Sequence, residues 1–279
     1  MLSTTQASKT ANIIAKSLTI TADDKSMTYG GSVPTYSYTV NTSDIVSGDT
    51  ASVVTGTASY TIKNSSNQEV TVGSSTPKGT YSINLSGLSA NNYSISYVAG
   101  TLTIAEAPAQ CPSTFNGYSG TYDGNSHGIT ATGYSGGTIK YRTATSGEGN
   151  TWTTTAPTRT DAGTTTVYVM IEGDSNHSDN TSCGSKTIVI NPKALTATVS
   201  ANDKEYDGTT SATCSTSVTL SGKVGSDAVT ASASASGTFN NASVGTGKTV
   251  TCTGITLSGT DKDNYTVATS ATTTADINK

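Results

Sequence analysis

Three stretches of alternating apolar residues recur along the chain: GTLTIAE at 100 to 106, KTIVINPK at 186 to 193 and TADINK at 274 to 279. Their spacing of roughly ninety residues is the size of one ordinary domain, so the chain divides into modules instead of closing around one core. Each module also opens alike, with LTITADDKSMTYGG from Leu18, STFNGYSGTYDGN from Ser113 and LTATVSANDKEYDGT from Leu195. In each, a strand leads to Tyr29, Tyr122 or Tyr206 followed by Gly or Asp-Gly, a strong turn signal. Each closes alike as well, with Asn92-Tyr93, Asn176-His177 and Asn264-Tyr265 introducing a final hairpin. The reading is a lead-in at 1–16 and repeats at 17–104, 105–191 and 192–279. Residues 4–16, TTQASKTANIIAK, read like VATSATTTADINK at 267–279, which predicts the trailing strand of a preceding repeat, or else a tag-like lead-in.

Inside the repeats the apolar period is two. Tyr36, Tyr38 and Val40 alternate with polar residues, as do Val167, Val169 and Ile171, and Val229, Ala231, Ala233 and Ala235. That is the pattern of half-buried antiparallel strands. No stretch places apolar residues at i, i+3, i+4 and i+7 over ten residues, so helix beyond a single turn is not expected. The chain is 33% hydrophobic and only 12% charged, a polarity carried by Thr, Ser, Gly and Asn that suits short strands and many turns. Its aromatics are 14 Tyr against 2 Phe and 1 Trp, rings whose hydroxyl reaches water or backbone from a thin core. The fold class expected is all-β: three tandem immunoglobulin-like antiparallel β-sandwiches in an elongated array, with β-grasp-like modules as the alternative.

A net charge of −4 without any Lys/Arg block leaves no electrostatic footprint for nucleic acid. No run of eighteen apolar residues is present, so no membrane insertion is expected of this segment, and the opening residues lack the h-region of a signal peptide.

The four cysteines fall two by two: Cys111 and Cys183 in the second repeat, Cys214 and Cys252 in the third. Pairing within repeats is the simplest of three connectivities. Without CxxC spacing, and with only His127 and His177 as histidines, a zinc site lacks ligands, and disulfides are expected. Bridges enclosing some 70 and some 40 residues each contribute about 4 kcal/mol on the loop-entropy account. The first repeat, which has none, is expected to be the weaker under load.

Motifs that elsewhere carry chemistry lack their context here. Gly133-Tyr134-Ser135-Gly136-Gly137 matches the nucleophile-elbow pattern, but no helix is expected after Ser135. Gly247-Lys248-Thr249 echoes a phosphate loop whose first glycine position holds Ala242. No catalytic residue or cofactor is assigned. Calcium remains the one candidate ion, at Asp23-Asp24 and Asp203 near the junctions and at Asp174-Ser175-Asn176 and Asp261-Lys262-Asp263-Asn264, although neither of the last two continues into an EF-hand ligand series. The lone Trp152, with Tyr141 and Arg142, is the candidate ligand-contact set, the ring either stacking on a sugar face or packing in the core of the second repeat.

Lys78-Gly79-Thr80-Tyr81-Ser82-Ile83 and Asp161-Ala162-Gly163-Thr164-Thr165 resemble the corner that precedes the penultimate strand of immunoglobulin sandwiches. That likeness makes Tyr81 a tyrosine corner, its hydroxyl bonded to nearby backbone, with Thr165 standing there in the second repeat. More broadly, Lys204-Glu205-Tyr206-Asp207-Gly208-Thr209-Thr210, Leu220-Ser221-Gly222, Val244-Gly245-Thr246-Gly247-Lys248, Gly254-Ile255 and Asp263-Asn264-Tyr265 resemble the YDG repeats of large bacterial surface adhesins. Leu18-Thr19-Ile20-Thr21-Ala22, Tyr29-Gly30, Gly79-Thr80-Tyr81 and Asn92-Tyr93-Ser94-Ile95 are similar to their MBG repeats. The second repeat keeps Tyr122-Asp123-Gly124 and Asp161-Ala162-Gly163 and is the most divergent.

The resemblance implies an exported, cell-surface, non-catalytic repeat protein, adhesive or merely extending. Three functions follow for the segment: a stalk or spacer module; a module binding a host glycan or matrix protein through loops of the second repeat; or an accessory β module of a secreted polysaccharide-degrading enzyme. Neighbouring repeats of the same chain are partners under all three. The short, proline-bearing linkers Ala105-Glu106-Ala107-Pro108-Ala109 and Asn191-Pro192-Lys193 predict a rod-like array, which a compact small-angle scattering envelope would contradict.

Overall fold

The structure is a computed structural model that describes residues 9–279. Among these residues it is all-β, with helix only as 3-10 turns at Thr42–Asp44, Ala51–Val53 and Lys262–Asn264. The helix that a β-grasp module requires is absent from the described residues. The chain forms two compact units, one of residues up to Gln110 with Glu172–Asn180, the other of Cys111–Ile171 with Thr181–Lys279. The division runs through the second repeat, whose opening residues and closing turn belong with the first.

In the first unit the strand Lys16–Ala22 points Leu18, Ile20 and Ala22 into the core, all essentially fully buried, and alternates them with threonine and serine. It pairs antiparallel with Tyr38–Val40 and parallel with Tyr93–Val98, Leu18 lying opposite Ile95. At Asp23 and Asp24 the chain leaves this sheet for the other, where Lys25–Thr28 runs parallel to Gly100–Ala105. That second sheet continues through Gly79–Ala90 to Val54–Lys63. The opening segment thus pairs first with one strand of the closing hairpin and then with the other. Ile62, Ile83, Leu85, Leu102 and Ile104 fill the space between the sheets. Burying each such side chain contributes about 1.5–3 kcal/mol.

The second unit repeats this wiring in its last module. Lys193–Thr198 runs parallel to Tyr265–Val267 in one five-stranded sheet, and Lys204–Glu205 runs parallel to Ser270–Asn278 in the other. Phe239, Val250, Cys252, Ile255 and Ile277 pack between them. The second repeat follows suit. Ala107–Pro108 runs parallel to His177–Ser178, both in the first unit. Tyr118–Thr121 runs parallel to Ser185–Asn191 in the second unit. The sandwiches are therefore antiparallel apart from these opening strands, a departure that alternation of apolar residues cannot reveal because it sets the buried face and not the strand direction. Residues 9–15 form no strand, Lys16 opens the first one, and residues 1–8 of the expected trailing strand lie outside the described residues.

Candidate functional site at the repeat junctions

Tyr29, Tyr122 and Tyr206 occupy one position in the wiring. Each backbone N–H donates to the carbonyl just past the last-strand isoleucine: Tyr29 to Ala105 at 2.9 Å, Tyr122 to Asn191 at 2.8 Å and Tyr206 to Asn278 at 2.9 Å. A left-handed glycine turns the chain immediately afterwards, with φ of 80° at Gly30, 79° at Gly124 and 78° at Gly208, a conformation a Cβ disfavours. In the Tyr-Asp-Gly repeats the aspartate closes the turn. Asp123 Oδ1 accepts the Asn125 N–H at 2.9 Å, and Asp207 Oδ1 accepts the Thr209 N–H at 2.8 Å. Hydrogen bonds hold both carboxyls down to a pKa of about 2, led by His127 on Asp123 and by Lys204 on Asp207, with the turn amides adding to each. In this position Tyr206 is 57% exposed, whereas Tyr122 is 6% exposed.

The other half of the site is the ring that follows asparagine. Tyr93 and Tyr265 hydroxyls sit in matching Val-x-x-Asp loops. Val46 N–H donates to Tyr93 Oη at 3.0 Å while that hydroxyl donates to Asp49 Oδ2 at 2.8 Å. Val224 N–H donates to Tyr265 Oη at 2.8 Å, and that hydroxyl donates to Asp227 Oδ2 at 2.6 Å. On Tyr93 the Val46 amide favours the phenolate, but burial and Asp49 outweigh it and raise the pKa; on Tyr265 burial raises it first, then Asp227. In the second repeat His177 takes this place, its Nδ1 lying 2.7 Å from Asp174 Oδ1.

The two halves meet twice. Within the first unit the Tyr29 ring meets His177 edge-on, centroids 5.1 Å apart and planes at 80°, and Lys78 N–H donates to Asn176 Oδ1 at 3.0 Å. Within the second unit Tyr122 meets Tyr265 edge-on at 5.4 Å and 79°, and Ala162 N–H donates to Asn264 Oδ1 at 2.7 Å. Lys78 and Ala162 are equivalent: each precedes the glycine that lies opposite the last-strand isoleucine, Gly79 facing Ile104 and Gly163 facing Ile190. The second junction adds a bond from Asn264 Nδ2 to Asp161 Oδ1 at 3.1 Å and one from Tyr122 Oη to Asp227 Oδ2 at 2.9 Å. Asp227 therefore accepts a tyrosine hydroxyl from each repeat. Tyr122 and Asn264 are both 6% exposed, and Ile190, Leu195 and Val229 complete an apolar cluster around the two rings. Burial, then the bond to Asp227, pushes the Tyr122 phenol up to about 12.

The cysteines form Cys111–Cys183 and Cys214–Cys252, so both staples lie within repeats and no described cysteine is free. Gly237, opposite Cys252 in the ladder, leaves the room that the Cys214 sulfur fills. Tyr81 Oη donates to the Pro77 carbonyl at 2.8 Å, four residues upstream. Of the three candidate contact residues, Arg142 meets Trp152, while Tyr141 precedes Arg142 on the strand Gly137–Arg142. The Arg142 guanidinium lies 4.4 Å from the Trp152 ring centroid and 5.6 Å from that of Tyr168. Arg142 Nη1 also donates to Asn150 Oδ1 at 2.8 Å, Tyr141 is buried, and Trp152 is half-buried. Tyr141, Arg142, Thr143, Thr153 and Pro157 line a groove there.

Ser135 lies between the strands Thr130–Thr132 and Gly137–Arg142, and Lys248 lies within Gly245–Thr253. The junction aspartates serve the repeats' own backbone and side chains. Asp23 accepts from Ser37 and Thr39, Asp24 accepts the Thr101 N–H at 2.7 Å, and Asp203 accepts the Asp276 N–H at 2.7 Å. Among the described residues no three His, Cys, Asp or Glu side chains are grouped to hold a metal. Sequence reasoning picked out both tyrosine motifs as turn and hairpin signals but not their meeting. The overlooked members are Asp49 and Asp227, whose shared Val-x-x-Asp spacing was the available signal.

The family model of the MBG domain (YGX type) matches residues 18–103, and that of the YDG domain matches residues 191–275. No curated protein matches the chain. Among solved structures it is similar to Drosophila N-cadherin EC1-4, at 10% identity and a TM-score of 0.30, covering 94% of this chain and 75% of that one. It is similar to Sidekick-1 immunoglobulin domains 1-5, at 12% identity and a TM-score of 0.29 over 96% of this chain and 60% of that one. It is also similar to titin domains I67-I69 in an E-to-A variant, at 11% identity and a TM-score of 0.29, covering 95% and 96% of the two chains. The chain carries an MBG domain of the YGX type at residues 18–103 and a YDG domain at residues 191–275.

Proposed function

We propose that this segment is a non-catalytic spacer of a bacterial cell-surface repeat protein, its modules stabilised by disulfides for an extracellular setting and coupled at their junctions. The observation that carries this reading is the junction itself. An edge-on contact from the tyrosine of one repeat to a ring of the next, and the same amide-to-asparagine bond, are built at both repeat boundaries. A spacer requires such coupling, because linkers alone leave neighbouring domains free to reorient.

The test has two arms on the full chain. In nuclear-spin relaxation, residues 192–279 tumble together with residues 111–171, and Tyr122→Ala releases them; equal mobility in both proteins removes the support for a spacer. A glycan and matrix-protein binding screen gives no saturable ligand. Saturable binding that Trp152→Ala abolishes replaces the spacer with an adhesive module working through the groove beside Arg142.

A further inference from the structure

Each junction joins two half-sites, and among the described residues one half-site of each kind is unmatched. On the last repeat, Tyr206 stands where Tyr29 and Tyr122 stand, followed by its Asp207-Gly208 turn, yet it is 57% exposed against 6% for Tyr122. Val244 stands where Lys78 and Ala162 stand, since it precedes Gly245, which faces the last-strand Ile277. It is 43% exposed. On the first repeat, Asn92 stands where Asn176 and Asn264 stand; it is exposed, whereas Asn264 is 6% exposed. Tyr93 beside it holds Asp49 by one hydroxyl, as Tyr265 holds Asp227, but Asp227 accepts a second tyrosine hydroxyl as well.

The lead-in has the same register. Ile13 precedes Lys16 by three residues, as Ile190 precedes Lys193 and Ile104 precedes Ala107. Those two are 2% exposed, whereas Ile13 is 101% and Ile14 86% exposed. The first repeat therefore presents an acceptor face, and the last repeat a donor face, of one and the same interface.

We infer that the Tyr206–Val244 face is a docking surface for the first repeat of a second copy of this chain, entered at Lys16. The surface is continuous in kind with two interfaces already closed in the molecule. In the occupied junction Tyr206 donates its hydroxyl to Asp49 of the incoming copy and lays its ring edge-on against that copy's Tyr93. Val244 N–H donates to that copy's Asn92. The inference rests on the coupled-repeat reading above.

The experiment joins Lys279 of the full chain directly to residue 16 of a second copy, which reproduces the three-residue step from isoleucine to the next opening strand. The second copy carries Tyr206→Phe, so that one Tyr206 remains. Acetylation of tyrosine hydroxyls by N-acetylimidazole is then followed by peptide mass spectrometry. Tyr206 reacts about tenfold more slowly in the fusion than in the single chain, the ratio of its 57% exposure to the 6% of Tyr122. Asn92→Ala with Asp49→Asn in the second copy returns Tyr206 to its single-chain rate. An unchanged rate in the fusion, with Tyr122 still protected, overturns the docking inference alone. Protection that survives the Asn92/Asp49 substitutions overturns it also, because another surface then covers Tyr206. A reactive Tyr122 in the same sample overturns the coupled-repeat reading itself.

Discussion

Replacing Tyr122 by phenylalanine isolates one bond of the second junction. The ring, its edge contact with Tyr265 and its burial remain; the hydroxyl that donates to Asp227 Oδ2 at 2.9 Å goes. A hydrogen bond to a charged acceptor contributes about 1.5–3 kcal/mol. Asp227 is half-buried and keeps the Tyr265 hydroxyl at 2.6 Å, so solvent and that second donor soften the loss to about 1.5 kcal/mol. Tyr206→Phe is the internal control. It changes the same motif position, but its ring is 57% exposed, so its effect stays within about 0.5 kcal/mol. The assay is urea unfolding of the full chain by circular dichroism, with the shift in midpoint converted at constant m. A cycle with Tyr265→Phe is non-additive, because both hydroxyls share one carboxylate oxygen. If Tyr122→Phe and Tyr206→Phe shift the midpoint alike, the junction bond carries no stability and the reasoning fails.

Two further outcomes follow from the same structure. Removing either disulfide as a double serine variant costs about 4 kcal/mol by loop entropy, since the bridges span separations of 72 and 38 residues, and non-reducing peptide maps of the parent show only the two bonds within repeats. In alkaline titration Tyr122 ionises late. Its phenol is raised to about 12 from an unfolded value of about 10, so its contribution is complete below about 10 and is lost as pH rises through 12. A near-ultraviolet tyrosine titration checks this, and Tyr122→Phe removes the late step; a titration unchanged by that substitution refutes it.

Much of the fold was legible because alternation is a direct imprint of a buried face. Leu18, Ile20 and Ala22, or Leu102 and Ile104, declare their strands without any tertiary information. The parallel pairing of Lys16–Ala22 with Tyr93–Val98 was not legible, because nothing in a period of two records which strand lies alongside or in which direction. The cysteine pairs were legible from their placement. The junction was half legible. Tyr-Asp-Gly states a turn through chemistry local to four residues, whereas the bond from Tyr122 to Asp227 joins positions 105 residues apart. Trp152 shows the same limit: the sequence could not tell a sugar platform from a packed ring, and the structure lays Arg142 against its face.

The position of the tyrosine explains why the motif is so poorly read as part of its own repeat. A core residue is buried by the strands around it, and its loss is felt there. Tyr206 is not such a residue; in its own repeat it is more than half exposed, while its backbone is pinned to Asn278 and its turn is closed by Asp207 and Gly208. Tyr122 has the same pinning and the same turn, and its burial is completed by Tyr265, Leu195 and Val229 of the next repeat. The turn is thus made rigid within one repeat in order to hold a ring for another. At the first junction His177 accepts the Tyr29 ring in the same edge-on way but anchors to Asp174, three residues before it, instead of to a Val-x-x-Asp loop. What the two junctions have in common is therefore the ring contact and the asparagine that accepts an amide, while the carboxylate that fixes the second ring is supplied from whichever loop is near.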